Sequence, residues 1–413
     1  MNACRSAATA AATALVCITT VCAAPDTGYW PGFLGPNRDG RSPDTGLLKQ
    51  WPTEGPKLLW KANTLGAGWG SVAVVSGCVY TTGNKADGSA LMLIALDAAD
   101  GKEKWRVAQG PACKHDKYPA ARSTPTLDGD RIYVLAGEGR VTCHDALTGK
   151  MLWSRECQEM GGKVGNWRYA ESVLVLGKVA FVTPGGKNAV VALDKLTGKT
   201  LWSSDAEATA GYSSCLALRQ DKAIAIVNGT QDGLFAFDGR TGKKLWSSSF
   251  AAHNTANCPS PLFSDGMLVW IVGYKKGAVG VKAVCEQGAW TFNEAWHNSD
   301  LSTTCGGGVI DNGYVYGAAG SDWACVDLKT GKTKWKAKAF GSGSVCYADG
   351  MLYLYSDNGG MIALAPASPA ELKIVSNFSV AGKDKSWAYP VVTGGRLYLR
   401  YDTNLYCFDV QAH

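Results

Sequence analysis

Apolar and polar residues alternate with a period of two along most of this chain, in short runs broken by glycine-containing turns. Three stretches show the pattern plainly: Thr124-Pro-Thr-Leu-Asp128-Gly129-Asp-Arg-Ile-Tyr-Val134, Phe263-Ser-Asp265-Gly266-Met-Leu-Val-Trp270, and Val345-Cys-Tyr-Ala-Asp349-Gly350-Met-Leu-Tyr-Leu354. Each reads as two strands joined at an Asp-Gly pair, because a two-residue hairpin turn needs positive φ where Gly costs least. Antiparallel strands are predicted throughout.

A second, longer period lies over the first. A small residue, an apolar residue and an Asp are followed by Gly-Lys and then Trp, as in Ala95-Leu-Asp97 through Gly101-Lys102 to Trp105. The phrase returns as Asp145 with Trp153, Asp194 with Trp202, Asp238 with Trp246, and Asp327 with Trp335. Gly always stands four residues after Asp, and Trp eight. Degraded copies fall at Cys285 to Trp296, at Ala363-Leu-Ala365 with Ile374-Val375, and at Cys407-Phe-Asp409. The period is roughly 45 residues, in the range of propeller blades, and eight units follow. The expected fold is an all-β, eight-bladed β-propeller of four-stranded antiparallel blades. Asp is expected to hold the turn, Gly to supply its positive φ, and Trp to cover the seam with the next blade. Cys143, Cys325 and Cys407 take the slot that Ala fills in other copies and read as small, buried and apolar.

The last copy ends at Asp409 with no outer strand left to follow it, whereas Gly55-Pro-Lys-Leu-Leu-Trp60-Lys-Ala is an outer strand without a blade. The N-terminal strand is therefore expected to complete the C-terminal blade and remove the exposed sheet edges. Residues 55–413 then form the propeller and 25–54 an N-terminal extension. Residues 1–24, with Arg5, an apolar run and Cys22-Ala23-Ala24, read as a cleaved signal peptide, which predicts a secreted or periplasmic protein. Lipid attachment at Cys22 fits less well, because Thr20-Val21 lacks the small residue wanted before it. No later apolar run is long enough to span a membrane.

Composition narrows the chemistry. Gly (50) and Trp (15) are abundant among 413 residues, as a turn-rich repeat array with large apolar anchors requires. The net charge of +6 is scattered without a basic run, so nucleic acid is not an expected partner. The five histidines, His115, His144, His253, His297 and His413, show no paired ligand spacing, and Cys113-Lys-His115 reads as loop rather than metal site. No metal is expected from these residues. The eleven cysteines beyond the leader are odd in number, leaving at least one unpaired within the chain, and their spacing dictates no disulfide. A monomer is expected.

The repeated phrase resembles the quinoprotein (pyrroloquinoline-quinone) repeat family over about residues 55 to 410. That family includes dehydrogenases that bind the quinone and non-catalytic outer-membrane assembly propellers of the BamB type. Trp30-Pro-Gly-Phe-Leu-Gly-Pro-Asn-Arg-Asp-Gly, Gly161-Gly-Lys-Val-Gly-Asn-Trp-Arg-Tyr-Ala-Glu-Ser and Pro184-Gly-Gly-Lys-Asn are similar to a group of secreted bacterial propellers labelled as quinone-binding-like.

Propeller ligands meet the inner strands at a channel mouth, so candidates are sought just before the first strand of each blade: Trp69, Arg122, Tyr169, Glu171, Tyr212, Asn257, Thr304, Ser342 and Trp387. Asn166, Trp167 and Tyr169 lie on a loop leading in, where they read either as a stacking surface for a planar ring or sugar or as packing at the mouth. Arg122 and Glu171, in adjacent blades, read either as a cationic clamp with a carboxylate base or as an ion pair stiffening the channel. If the protein is an enzyme, Glu171 is the expected catalytic group. Two functions stay open. One is a non-catalytic binding or scaffold module for a protein segment or a small planar or polar ligand. The other is an alcohol or sugar dehydrogenase dependent on pyrroloquinoline quinone and calcium, as the resemblance implies. The adjacent Cys-Cys pair of the quinone-dependent alcohol dehydrogenases is absent, and the blades carry no large insertions, which favours the first.

Overall fold

The computed structural model describes residues 28–253 and 255–413. The expected signal peptide lies outside the described residues. Eight four-stranded antiparallel sheets follow one another along the chain, one of them extended by a short parallel strand. Taken in chain order as blades 1 to 8, their inner strands begin at Ala73, Thr126, Leu174, Leu216, Leu262, Gly308, Gly343 and Val391. One short 3₁₀ turn, Cys157–Met160, is the sole helical element among the described residues. The fold is the eight-bladed all-β propeller that the period predicts.

Closure is as expected. Leu58–Ala62 pairs antiparallel with Asn404–Asp409 and forms the outer strand of blade 8. Two of the three Asp-Gly turns also stand as read, with φ of +50° and +74° at Asp265-Gly266 and +50° and +78° at Asp349-Gly350. The third is displaced by one residue. Asp128 pairs with Arg131, so Gly129-Asp130 makes the turn, with Gly129 at φ +61°.

The repeated phrase works across seams as well as within blades. Asp194 Oδ1 accepts the Thr197 amide at 2.9 Å, and Asp145, Asp238 and Asp327 accept the equivalent amide in their own turns. Gly198 then takes φ +71° and lies under the indole of Trp153 from the preceding blade, where a Cβ would come within 2.8 Å of the ring. Trp60, Trp105, Trp202 and Trp296 sit in the same way over Gly101, Gly149, Gly242 and Gly331. Burying each indole contributes roughly 2–3 kcal/mol by area, and the glycine is required because any side chain would occupy the ring's seat.

The small slot has an equally local cause. Ala95, Cys143, Ala192, Ala236, Cys325 and Cys407 lie directly across the sheet from Trp105, Trp153, Trp202, Trp246, Trp335 and Trp60. A bulge accompanies each of these pairs. In blade 5 the partner of Trp296 is Gly280, whereas Cys285 pairs with Trp290 further out along a longer hairpin. The degraded copy is thus centred on Gly280, not on Cys285. Its missing Gly-Lys turn is replaced by ring stacking of Trp246 on Phe292, 5.7 Å apart.

The N-terminal extension is part of the architecture. Trp30 pairs with Val74 of blade 1, and the Leu127 amide of blade 2 donates to Pro31 O. Arg38 donates to the carbonyls of Ser172 and Val173 at the start of blade 3. Across the ring, Arg41–Ser42 adds a parallel strand to blade 7, and Arg41 pairs with Asp311 of blade 6 at 2.8 Å. The segment therefore spans one mouth of the channel, a placement that the alternation of the blades does not encode.

Candidate functional site

The segments leading into the inner strands of blades 1 to 5 are tied to one another by hydroxyls. The Ser71 amide donates to Thr124 Oγ1, Thr124 to Ser172 Oγ, Ser172 to Ser214 Oγ and Ser214 to Ser260 Oγ, at 2.9 to 3.0 Å. Side chains alternate along each strand, so a residue two places before a ring hydroxyl shares its channel-facing side. Trp69, Arg122, Ala170, Tyr212, Cys258 and Trp387 all meet the channel in this way, the last through Tyr389 as its i+2 partner.

These residues enclose a cavity of about 220 Å³ whose lining includes Phe33 of the N-terminal extension. The channel is thus closed beneath the cavity. The Phe33 ring meets Tyr389 edge-on at 5.0 Å. Around the wall, Trp69 contacts Trp387 at 4.8 Å and Tyr118 at 5.8 Å, and Tyr118 in turn contacts Trp167 and Trp387 at 5.6 Å. The Arg122 guanidinium lies 5.8 Å from the Trp69 ring centroid and donates to Tyr118 O. Tyr212 holds the Trp167 loop, its hydroxyl accepting the Trp167 amide at 3.0 Å. His115 stacks on Trp167 at 5.3 Å, its Nδ1 taking the Tyr118 amide at 3.1 Å.

The polar complement of this cavity is one-sided. Trp69 Nε1, Trp167 Nε1 and Arg122 Nε are buried donors without a hydrogen-bond partner. Arg122 adds positive charge, and no Asp or Glu lines the wall. Buried donors left unmade cost roughly 1–3 kcal/mol each, so the cavity favours a guest that brings acceptors.

Of the residues anticipated from sequence, Trp69, Arg122, Trp167, Tyr212, Thr304 and Trp387 are brought together here. Five others are not. Asn166 is exposed on a neighbouring groove. Tyr169 is buried in the blade core with its hydroxyl on Pro184 O at 2.7 Å. Asn257 is buried and donates to the carbonyls of Ala252 and Thr230. Glu171 accepts the Thr183 amide at 2.7 Å and the Thr183 hydroxyl, behind the channel wall. The reason is parity: Ala170 and Ser172 take the channel face of the segment leading into this strand, so Tyr169 and Glu171 face away. Arg122 and Glu171 consequently form neither a clamp and base nor an ion pair; the cation near Glu171 is Arg38. Ser342 meets Thr303 Oγ1 at 3.4 Å and lies outside the cavity lining. Tyr118, Tyr389, Phe33, Cys258 and Cys305 escape sequence reading. Counting two residues back from the recurring Ser or Thr before each inner strand would have selected Cys258 and rejected Glu171.

Burial pushes the Glu171 carboxyl up to about 7, against the opposing pull of Thr183 and Arg38. Its folded form thus holds a proton that the unfolded chain releases above the ordinary value of 4.5. The group's contribution to stability is complete below that value and is lost as pH rises through about 7. A fall of roughly 2–3 kcal/mol in wild-type stability relative to Glu171→Gln is expected between pH 5 and 8, read from denaturant melts. An identical pH slope in both chains would show that Glu171 does not titrate in this range.

Eight closed blades, a channel stopped at one end by the N-terminal segment and a donor-rich aromatic cavity above it define a plugged β-propeller of the quinoprotein-repeat class. The family model described as outer membrane protein assembly factor BamB matches residues 92–337 and 297–375, and the chain belongs to this family of quinoprotein-repeat propellers. It is 41% identical over 68 residues to quinohemoprotein alcohol dehydrogenase ADH IIB of Pseudomonas putida, a match covering 16% of this chain and 10% of that protein's length. Among solved structures, BamB from Moraxella catarrhalis superposes with a TM-score of 0.61 at 16% identity, covering 83% of this chain and 95% of that one. The quinohemoprotein alcohol dehydrogenase of Comamonas testosteroni gives 0.64 at 13% identity, covering 94% of this chain and 81% of that one. At these identities the structural likeness establishes the fold.

Proposed function

We propose that this protein is an exported binding propeller that takes a small, planar, acceptor-rich anion into the aromatic cavity at the plugged channel. The observation that carries this reading is the set of partnerless buried donors, Trp69 Nε1, Trp167 Nε1 and Arg122 Nε, between aromatic walls. Flat rings stack on such walls, and carboxylate or carbonyl oxygens answer the donors and the guanidinium.

Pyrroloquinoline quinone, a planar polycarboxylate, matches this donor set. Calcium does not: the lining holds no carboxylate, and no group of three His, Cys, Asp or Glu among the described residues could ligate a metal. Nor does any carboxylate reach the cavity to act as a general base, with Glu171 turned behind the wall. The donor-rich, carboxylate-free lining supports binding over dehydrogenation.

Titration of the purified chain with pyrroloquinoline quinone, with and without calcium, tests the reading through tryptophan fluorescence. Saturable quenching independent of calcium is expected, weakened about 10- to 100-fold in Arg122→Ala because charge-assisted hydrogen bonds contribute roughly 1.5–3 kcal/mol. Calcium-dependent binding with alcohol-driven dye reduction would instead support a dehydrogenase. Absence of binding would favour a second reading, a scaffold for a protein segment. That alternative draws on the assembly-factor family and on exposed Leu152, Leu201 and Leu245, which precede the tryptophans of blades 2 to 4 on one rim.

A further inference from the structure

Two cysteines that lie far apart in the chain meet in the wall of the cavity. Cys258 sits on the connection from blade 4 to blade 5, Cys305 on that from blade 5 to blade 6, and both are half-buried lining residues. Both stand beside Tyr389 in that lining, and Cys258 is the neighbour that acts most strongly on the Cys305 thiol. Five other cysteines are placed differently: Cys143, Cys325 and Cys407 are buried opposite tryptophans within sheets, and Cys157 and Cys215 are buried beside Glu171. Neither Cys258 nor Cys305 belongs to a strand, so each can turn about its side-chain bonds without breaking a ladder.

We propose that Cys258 and Cys305 are a redox pair that closes to a disulfide in the cavity wall by exchange with a small-molecule or protein disulfide. The thiolate of Cys258 attacks one sulfur of the incoming disulfide and expels the first thiol, leaving a mixed disulfide on Cys258. Cys305 gives its proton to solvent and attacks the Cys258 sulfur, expelling the second thiol. Two protein S–H bonds are replaced by one S–S bond, and the reagent disulfide is reduced to two thiols. Closure brings the two sulfurs to the roughly 2.05 Å of a disulfide.

The chemistry around the pair suits a reversible step. Contact with Cys258 and burial hold the Cys305 thiol well above its ordinary range, while the Arg122 guanidinium acts on it in the opposite direction. Cys305 thus stays a protonated, latent thiol until Cys258 has reacted. The bond would tie the connections flanking blade 5 to each other. It would also fix the Cys305 carbonyl that accepts the Tyr389 hydroxyl at 3.3 Å, and with it the ring resting on Phe33. The inference does not depend on which guest the cavity takes.

Peptide mapping of the full chain tests it. The reduced protein is exposed to oxidised glutathione, alkylated with N-ethylmaleimide and digested. A peptide linking Cys258 to Cys305 is expected, lighter by two hydrogens than the two thiol peptides together, with a loss of two alkylatable thiols that dithiothreitol restores. Cys305→Ser is expected to trap glutathione on Cys258, and Cys258→Ser to remove the linked peptide. If both cysteines remain alkylatable after oxidation of the wild-type chain, or if either links to a different cysteine, the pair is not a redox couple. That wild-type measurement decides the matter even where a serine variant fails to fold.

Discussion

Deletion of residues 55 to 62 is expected to abolish the folded monomer, leaving material that aggregates on size-exclusion chromatography and shows no cooperative thermal transition. The strand Leu58–Ala62 supplies the outer ladder of blade 8. Without it, Asn404–Asp409 becomes an unpaired edge in a ring that otherwise has none at that seam. The segment also carries Trp60, which covers Gly101 of blade 1 and donates from Nε1 to Ala98 O at 2.9 Å. Gly55, at φ +91°, seats the Phe378 ring of blade 7. Trp60→Ala alone should cost about 3–5 kcal/mol, and the deletion adds the lost ladder and two opened seams. Against a total stability of about 5–15 kcal/mol, the ring should not survive. A monodisperse deletion variant melting at the wild-type temperature would show that closure lies elsewhere.

Arg400→Leu is expected to destabilise the protein by about 3–5 kcal/mol, measured as a lowered urea midpoint at unchanged slope. Arg400 is fully buried in blade 8 and reaches across the closing seam. It donates to Thr82 O and Thr81 Oγ1 of blade 1, to Gly66 O at 3.1 Å, and to Asp402 O at 3.1 Å in its own blade. Burial lowers its pKa to about 10, opposed by the nearby Asp402. Leucine would leave these acceptors without a donor in a space that water fills poorly. Lysine keeps the charge but not the planar fork, so Arg400→Lys should recover only part of the loss. An Arg400→Leu chain of wild-type stability would mean that the seam is held by packing alone.

The blades were legible because their determinants are local. The Asp, Gly and Trp of each phrase lie within one turn and its flanking strands, and period-two alternation declares which residues are strands. The cavity was legible only in part. Trp69, Arg122, Tyr212 and Trp387 stand just ahead of inner strands, where any propeller presents side chains to its channel. Glu171 stands in the same window, but Ser172 beside it takes the channel side and Glu171 turns to Thr183. Tyr118 was missed because its position depends on a loop between blades 1 and 2 folding back over Arg122, and nothing in the loop's own residues states that return.

What the sequence by itself determined is the count of blades, their strand pattern, the braces at their seams and the strand that closes the ring. Each of these follows from spacing, turn chemistry and the need to bury indoles, and such constraints act over a few residues or repeat at a fixed period. The tertiary structure alone decided that residues 30 to 42 cross the channel and close it. It decided as well that Glu171 answers Thr183 and Arg38 rather than Arg122, and that Cys258 meets Cys305. These are contacts between distant segments, set by the curvature of a ring that no single blade encodes.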